Sequence, residues 1–145
     1  MKREQRSPWC FGCGTQNPIG LKLDCREEND KFIAAFTPGP EHQGYGDVVH
    51  GGIISTLLDE IMTGYPFFKG LGPRTARLEV QFRRPVFVGQ PVTVTGWITD
   101  QNGKLMELEG KVTFADGTVA AEGKSTVVLV GDKPLKVPAA GSSRP

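Results

Sequence analysis

The strongest pattern of apolar positions in the chain has the spacing of a helix and begins at Gly52. Its members form a stripe of roughly 180°, which is wider than the face of about 100° usual for a surface helix. They are Ile53, Ile54, Leu57, Leu58, Ile61, Met62 and Tyr65. The pattern therefore predicts one helix that is buried on most sides and that ends between Pro66 and Gly70.

Alternation of apolar and polar residues predicts strands before and after this helix. The predicted strands are residues 21–26, 31–36, 75–82, 92–99, 104–114 and 118–130. Asn102-Gly103 and Asp116-Gly117 are strong signals for hairpin turns, so the last strands are expected to pair antiparallel to their neighbours. Residues 37–47, rich in Pro and Gly, predict a loop whose length suggests a functional role.

Two strands, one nearly all-apolar helix and four more strands predict an α+β domain, in which a curved antiparallel sheet wraps around one long central helix. Such a sheet covers only one side of the helix, and a second copy of the chain would cover the rest. We therefore expect a homodimer with twofold symmetry and leave a dimer of dimers open. The predicted domain occupies residues 21–130, between an N-terminal arm and loop at 1–20 and a flexible C-terminal tail at 131–145.

Composition narrows the classes of function. The chain has 145 residues and a net charge of +1, so neither a nucleic acid nor a membrane surface is predicted as a partner. No stretch approaches the roughly 18 apolar residues of a membrane-spanning helix. The charged N-terminus lacks the apolar stretch of a secretory signal, and the odd number of cysteines gives no disulfide framework. A cytoplasmic location is therefore expected.

Two of the three cysteines form the motif Cys10-Phe11-Gly12-Cys13. A zinc site usually needs four ligands, and the sequence has no second CxxC or HxxxH to complete one. A loop rich in Gly, Asn and Pro follows the motif, whereas a thioredoxin-like motif lies between a strand and a helix. We therefore predict a structural role and no metal, while metal binding and redox chemistry stay open as alternatives.

Candidate chemistry is concentrated on the helix. Gly51 and Gly52 lie in its first turn, where N–H groups have no partner within the helix and the dipole is positive. Their lack of a Cβ suits these donors to holding an oxyanion, although a tight entry into the helix explains the glycines equally well. Asp59 lies at the border of the buried face, where a carboxylate is costly unless it is hydrogen-bonded or functional. The neighbouring Glu60 is expected to be solvated.

Two histidines and a glutamine lie before the helix. His50 immediately precedes it, and its ring is expected to bond to a nearby backbone group and shape the loop. His42 and Gln43 lie in the loop and are candidates to reach a substrate carbonyl. For both histidines, a structural or surface role explains the residue at least as well as a catalytic one.

The stretch His50-Gly51-Gly52 followed by Asp59 matches the signature H-G-G-x(6)-D. Through it the chain resembles the hotdog-fold acyl-CoA thioesterases of the phenylacetate-pathway (PaaI-like) type, from about residue 10 to residue 130. The N-terminal CFGCGTQNPIGLKL is similar to the opening of one bacterial branch of that group. The order of elements in the family agrees with the order predicted above.

The resemblance implies roles for particular residues. Asp59 falls on the general base or nucleophile, and the Gly51 amide on the group that polarises the thioester carbonyl. A bound thioester with its water would bridge the eight residues between them, about 12 Å of helix, if the helix start is irregular. Thr75 falls on the residue that orients the water across a dimer interface. Several relatives have an Asn where this chain has Gly44, so Gln43 or His42 is the candidate substitute.

The resemblance also implies coenzyme A as part of the substrate, whose phosphates require cations. Arg83 and Arg84 match the phosphate-contacting region in position, although a solvated surface role explains them equally well. We therefore predict a thioesterase that needs no cofactor and converts an acyl-CoA to the free acid and CoA. A non-catalytic acyl-CoA-binding module stays open, as does a dehydratase of 3-hydroxyacyl thioesters, for which Asp47 and His50 have the wrong spacing.

Overall fold

The computed structural model describes residues 7–130, which form one α-helix and six strands. In chain order the elements are β1 (Arg26–Glu28), β2 (Lys31–Phe36), α1 (Gly51–Phe68), β3 (Gly72–Phe82), β4 (Val92–Asn102), β5 (Leu105–Phe114) and β6 (Val119–Val130). A short 3-10 turn, Pro40–His42, lies in the loop between β2 and α1. The predicted tail at 131–145 and the first six residues of the predicted arm lie outside the described residues.

All six strands belong to one antiparallel sheet in the order β1-β2-β4-β5-β6-β3. One face of this curved sheet packs on α1, and the core lies between them. The fully buried residues of α1 include Leu57, Leu58, Ile61 and Met62. The predicted α+β hotdog architecture, a sheet wrapped around one central helix, is thereby confirmed.

A row of glycines lets the helix approach the sheet closely. Gly96, Gly110 and Gly123 lie opposite one another on β4, β5 and β6. A Cβ on Gly96 would lie 3.2 Å from the carbonyl oxygen of Ile61, and one on Gly123 would lie 3.0 Å from Cε of Met62. The space that three side chains would occupy is therefore filled by the helix, which explains glycine inside strands.

The strand predicted at residues 21–26 is wrong except at its last residue, because strand pairing begins only at Arg26, the first residue of β1. The alternation is real, since the apolar side chains of this segment are buried. Lys22, however, has a φ of 54°, in the left-handed region that interrupts an extended chain. The N–H groups of Leu21 and Leu23 instead donate to carbonyl groups of the preceding N-terminal loop, at 2.8 and 2.9 Å.

The helix begins at Gly51, which was predicted to lie in its first turn, and it ends within the predicted range. Pro66 lies inside its last turn, and Gly70, with a φ of 90°, follows it. The N–H of Gly70 donates to the carbonyl of Phe67 at 3.0 Å, which is a common way for glycine to end a helix. Within residues 7–130 no helix has the length and apolar character needed to cross a membrane.

Candidate active site

The carboxylate of Asp59 lies half-buried in the middle of α1, and hydrogen bonds hold one of its two oxygens. Its Oδ1 accepts hydrogen bonds from Thr75 Oγ1 at 2.9 Å and from Thr63 Oγ1 at 3.2 Å. The two hydroxyl oxygens lie 2.8 Å apart. Oδ2 accepts no hydrogen bond from residues 7–130. One carboxylate oxygen is therefore fixed, and the other is left for a water molecule or a substrate.

Helix spacing and a sheet edge bring these hydroxyls to Asp59. Thr63 lies four residues after Asp59 and therefore on the same side of α1. Thr75 lies on β3, which is an edge strand bonded to β6 alone. The register of β3 shifts between Thr75 and Arg77, and such a bulge commonly redirects a side chain. Thr75 was a predicted site residue; Thr63 was missed, although its spacing from Asp59 is a usable signal.

The start of α1 presents the Gly51 amide. His50 is the N-cap residue, and its Nδ1 accepts the N–H of Gly52 at 2.8 Å. Its backbone N–H donates to the carbonyl of His42 at 2.8 Å, which ties the loop to the helix. The Gly51 N–H has no hydrogen-bond partner within residues 7–130. Of the two predicted oxyanion donors, the one at Gly51 is therefore available and the one at Gly52 is engaged by His50.

An open groove of about 560 Å³ reaches this helix start. Its lining residues are Gly44, Tyr45, Val48, Val49, His50, Gly51 and Phe82. Tyr45 is 84% exposed and Phe82 57% exposed, so aromatic surface lies beside the free amide. The groove can take an apolar or aryl group together with a polar group that accepts from Gly51.

Gly51 and Asp59 are not brought together within one chain. The helix is regular from Gly51 onward, so the condition under which a thioester could bridge the two residues of one chain, an irregular helix start, is not met. Eight residues of α-helix place them about 12 Å apart along the axis. Asp59 is accordingly absent from the groove that Gly51 lines. The two parts of the predicted site lie in different places on the same chain.

The predicted loop residues are engaged in shaping the loop. Nδ1 of His42 accepts the N–H of Gly39 at 2.9 Å. The side-chain amide of Gln43 donates to the carbonyl of Pro40 at 2.9 Å, and its Oε1 accepts the N–H of Asp47 at 2.7 Å. His42 also lines a second groove of about 550 Å³ with Phe11, Pro18, Ile19, Gly20, Lys22, Glu41 and Ile53. Gln43 lines neither groove and braces the loop that borders the first.

The two candidate phosphate-binding arginines differ in their surroundings. Arg83 forms an ion pair with Glu122 at 2.8 Å and also donates to Gln81 at 2.7 Å. Arg84 is exposed and forms no ion pair with any residue between 7 and 130. Hydrogen bonds from Thr118, and to a smaller extent the charge of Arg84, hold the pKa of Asp116 below its usual value. Arg84 is therefore the freer cation of the pair.

The expectation that Glu60 is solvated is wrong, because its side chain is buried at 4% exposure. The N-terminal loop folds over this side of α1 and places Cys10 Sγ 3.8 Å from Glu60 Oε1. The ligand atoms of Cys10, Cys13 and Glu60 all lie within 4.8 Å of one another. This is a cluster of side chains that can hold a metal ion, and no local sequence pattern links Glu60 to the two cysteines.

The architecture and the helix-borne carboxylate define a hotdog protein of the thioesterase class. The family model described as "Thioesterase superfamily" matches residues 46–121, just over half of the chain. The chain therefore belongs to the thioesterase superfamily, as the resemblance predicted. The matched residues include the end of the loop that leads into the helix, α1, β3, β4 and β5.

Among curated proteins, the chain is 27% identical over 119 residues to acyl-coenzyme A thioesterase THEM4 of Bos taurus. The match covers 81% of this chain and 46% of that protein, so the chain spans about half the length of the curated relatives it matches. The structure of RHA08564, a thioesterase superfamily protein, superimposes with a TM-score of 0.75 at 26% identity, over 79% of this chain and 60% of that one. The PaaI protein of the Escherichia coli phenylacetic acid degradation operon superimposes with a TM-score of 0.71 at 18% sequence identity, over 77% of this chain and 81% of that one.

Proposed function

We propose that the protein is an acyl-CoA thioesterase that hydrolyses its substrate to a free acid and CoA. The observation that carries the proposal is the state of Asp59, whose Oδ1 is fixed by two threonine hydroxyls while Oδ2 is left open. A free amide at the positive end of the same helix, beside an aromatic groove, supplies the complementary group. Membership of the thioesterase superfamily and the name of the curated relatives support the same activity.

The complete site is proposed to form between two copies of the chain. Gly51 of one copy would face Asp59 and Thr75 of the other, because one chain holds them about 12 Å apart. The edge strand β3 supports this arrangement. Its side chains from Thr75 to Glu79 are exposed on both faces, and Leu78 and Phe82 are exposed apolar residues. Long unpaired edges of this kind are normally covered, and pairing about a twofold axis covers both copies at once.

The proposed reaction uses the two ends of the site in sequence. Oδ2 of Asp59 takes a proton from a water molecule while the oxygen of that water adds to the thioester carbon. The carbonyl oxygen becomes an oxyanion that accepts the N–H of Gly51. The carbon–sulfur bond then breaks, and the proton passes from Asp59 to the departing CoA thiolate. Direct attack by the carboxylate, followed by hydrolysis of the resulting anhydride, is the alternative for the same residue.

Arg84 is proposed to contact a phosphate of CoA, because it is the exposed arginine of the pair that forms no ion pair with any residue between 7 and 130. An arginine and a phosphate form strong charge-assisted hydrogen bonds. We place the protein in the cytoplasm, where the thiols of Cys10, Cys13 and Cys25 stay reduced.

The proposed activity is tested with a panel of acyl-CoA esters and detection of the released thiol. Asp59→Asn should lower kcat by about 10²-fold or more, the scale of lost general-base catalysis. The matched control is Asp100→Asn, which changes an exposed carboxylate on β4 and should leave turnover unchanged. Full activity of Asp59→Asn would reject the assignment. Tight binding of CoA esters without thiol release from the unaltered protein would identify a binding module instead.

A further inference from the structure

The geometry points to a site for a thiophilic divalent cation, with Zn²⁺ as the best match, formed by Cys10, Cys13 and Glu60. The three ligand atoms lie within 4.8 Å of one another, and Cys10 Sγ lies 3.8 Å from Glu60 Oε1. On a tetrahedral zinc, a thiolate sulfur and a carboxylate oxygen are separated by about 3.5 Å, given the usual bond lengths. The Cys10–Glu60 pair therefore needs to close by only about 0.3 Å, and the pairs that involve Cys13, which lie within 4.8 Å, by about 1 Å at most.

The loop that carries the cysteines is tightly built. The N–H of Gly14 donates to the carbonyl of Cys10 at 2.8 Å, and the N–H of Gln16 donates to that of Pro8 at 2.9 Å. A Cβ on Gly14 would lie 2.4 Å from both Cys10 N and Pro8 O, so no side chain fits there. The spacing of the cysteines and the turn that closes after the second one suit two ligands for a single metal.

The same loop lies directly on the carboxylate. Gly12 is buried between the two cysteines, and a Cβ at that position would lie 2.3 Å from Glu60 Oε1. A larger residue at position 12 would therefore have to displace the Glu60 side chain from its place beside the cysteines. Gly12 therefore leaves room for the Glu60 carboxylate beside the two thiols, although Cys10 and Glu60 are 50 residues apart in the chain.

Charge decides which cation fits. Binding converts the two thiols to thiolates and releases two protons. Two thiolates and one carboxylate carry a total charge of −3, so their complex with Zn²⁺ has a net charge of −1. Thiolates favour zinc over Mg²⁺ or Ca²⁺, which prefer oxygen ligands. Three protein ligands leave one tetrahedral position for a water molecule.

The site is separate from the proposed hydrolysis, which uses Asp59 and no metal. Glu60 follows Asp59 in α1, so the cation would fasten the N-terminal loop to the helix beside the reacting carboxylate. Its expected effect is on stability: a chelator should lower Tm, since a ligand that binds only the folded state stabilises that state.

The test uses the full chain, reduced and freed of metal, titrated with Zn²⁺ against a chromophoric chelator. One Zn²⁺ per chain is expected. Cys13→Ser and Glu60→Gln should each weaken binding by at least about 10-fold, since even the loss of an outer-shell partner costs that much. Cys25→Ser, which removes a buried cysteine outside the cluster, should bind as the unaltered chain does. Co²⁺ should give a thiolate charge-transfer band that Cys13→Ser weakens and Cys25→Ser keeps.

Two results would overturn the site: no saturable binding by the correctly folded chain, or equal affinity in Cys13→Ser. Circular dichroism establishes that each variant is folded, and the conservative Glu60→Gln variant tests the site without altering the loop. Asp59→Asn should bind Zn²⁺ normally, so the metal site and the proposed hydrolysis succeed or fail independently. A Cys10–Cys13 disulfide that forms readily in a chain with no affinity for Zn²⁺ would assign the motif to redox chemistry instead.

Discussion

At the residue scale, the two carboxylate oxygens of Asp59 have different surroundings, because both threonine hydroxyls contact Oδ1. Oδ1 and the hydroxyls of Thr63 and Thr75 form three contacts, but the hydroxyls have only two protons to donate. Thr75 is exposed whereas Thr63 is buried. Thr75 is therefore the hydroxyl that can also contact a water molecule on the open side of the carboxylate.

This geometry gives a prediction for Thr75. Thr75→Val removes the hydroxyl at nearly constant volume and should lower kcat by about 10- to 100-fold, the kinetic equivalent of one hydrogen bond to a charged group. Thr75→Ser keeps the hydroxyl and should stay within a few-fold of the unaltered protein. Steady-state kinetics with the best acyl-CoA ester measures both. Equal losses in the two variants would show that packing, and not the hydroxyl, matters at this position.

A second prediction at this scale concerns pH and stability. The hydroxyl of Tyr65 donates to Glu27 and, with Lys69, holds the pKa of that carboxyl below its usual value of 4.5. Burial, together with the same hydrogen bond, raises the pKa of Tyr65. A lowered carboxyl pKa stabilises the fold above the unfolded-state value, and this contribution is lost as the pH falls through the folded-state value.

Tyr65→Phe should therefore lower Tm at pH 7, and its deficit should shrink as the pH falls below 4.5. Thermal unfolding followed by circular dichroism between pH 3 and pH 7 measures the difference. Lys69→Met, which removes only the weaker partner of Glu27, is the matched control and should show a smaller change in the same direction. A deficit that does not vary with pH would mean that the hydroxyl acts through packing alone.

At the element scale, the distance between α1 and the sheet depends on the row Gly96, Gly110 and Gly123. The atoms that face Gly96 and Gly123, the two outer glycines, differ in how easily they can move. A Cβ on Gly96 would meet the helix backbone at the Ile61 carbonyl, whereas one on Gly123 would meet the flexible end of Met62. The same substitution should therefore have different costs at the two ends of the row.

Gly96→Ala should lower the free energy of unfolding by about 1–3 kcal/mol, the usual cost of overpacking a core. Gly123→Ala should cost less, because Met62 can change rotamer and because alanine also restricts the unfolded chain. Urea unfolding of the two variants under the same conditions compares them. If Gly123→Ala proved the more damaging of the two, the helix would not set the closest approach at this row.

At the scale of the whole molecule, the separation of Gly51 from Asp59 makes the proposed site a property of two chains. Gly51→Pro removes the amide donor, and proline is well tolerated at the first position of a helix. His50, with a ψ of 136°, already has the conformation favoured before proline. Gly51→Ala keeps the donor, and its Cβ would make ordinary contact with Phe82 at 3.5 Å.

Mixed dimers test the shared site. A dimer of one Asp59→Asn chain and one Gly51→Pro chain, isolated with two affinity tags, should have about half the activity of the unaltered dimer, since one of two sites is intact. The control pairs an unaltered chain with a chain carrying both changes, and it should be inactive because each site then contains one change. If each site lay within a single chain, the two results would be exchanged.

The sequence by itself determined the helix, the strand immediately before it, the four strands after it, and the family. These signals are local, because periodicity follows from backbone geometry and the signature from His50 to Asp59 occupies ten consecutive residues. The same locality explains one failure. The alternation at residues 21–26 describes side-chain burial correctly, but strand pairing depends on a φ at Lys22 and on partners elsewhere in the chain.

Only the tertiary structure decided which side chains meet. The burial of Glu60 comes from a loop 50 residues earlier, so the angular position of Glu60 on α1 gave no warning of it. The contact of Thr75 with Asp59 depends on the sheet edge and its bulge. Contacts between distant parts of a chain are set by how its elements pack, which no local pattern encodes. For that physical reason, the sequence pointed to candidate site residues but not to their arrangement.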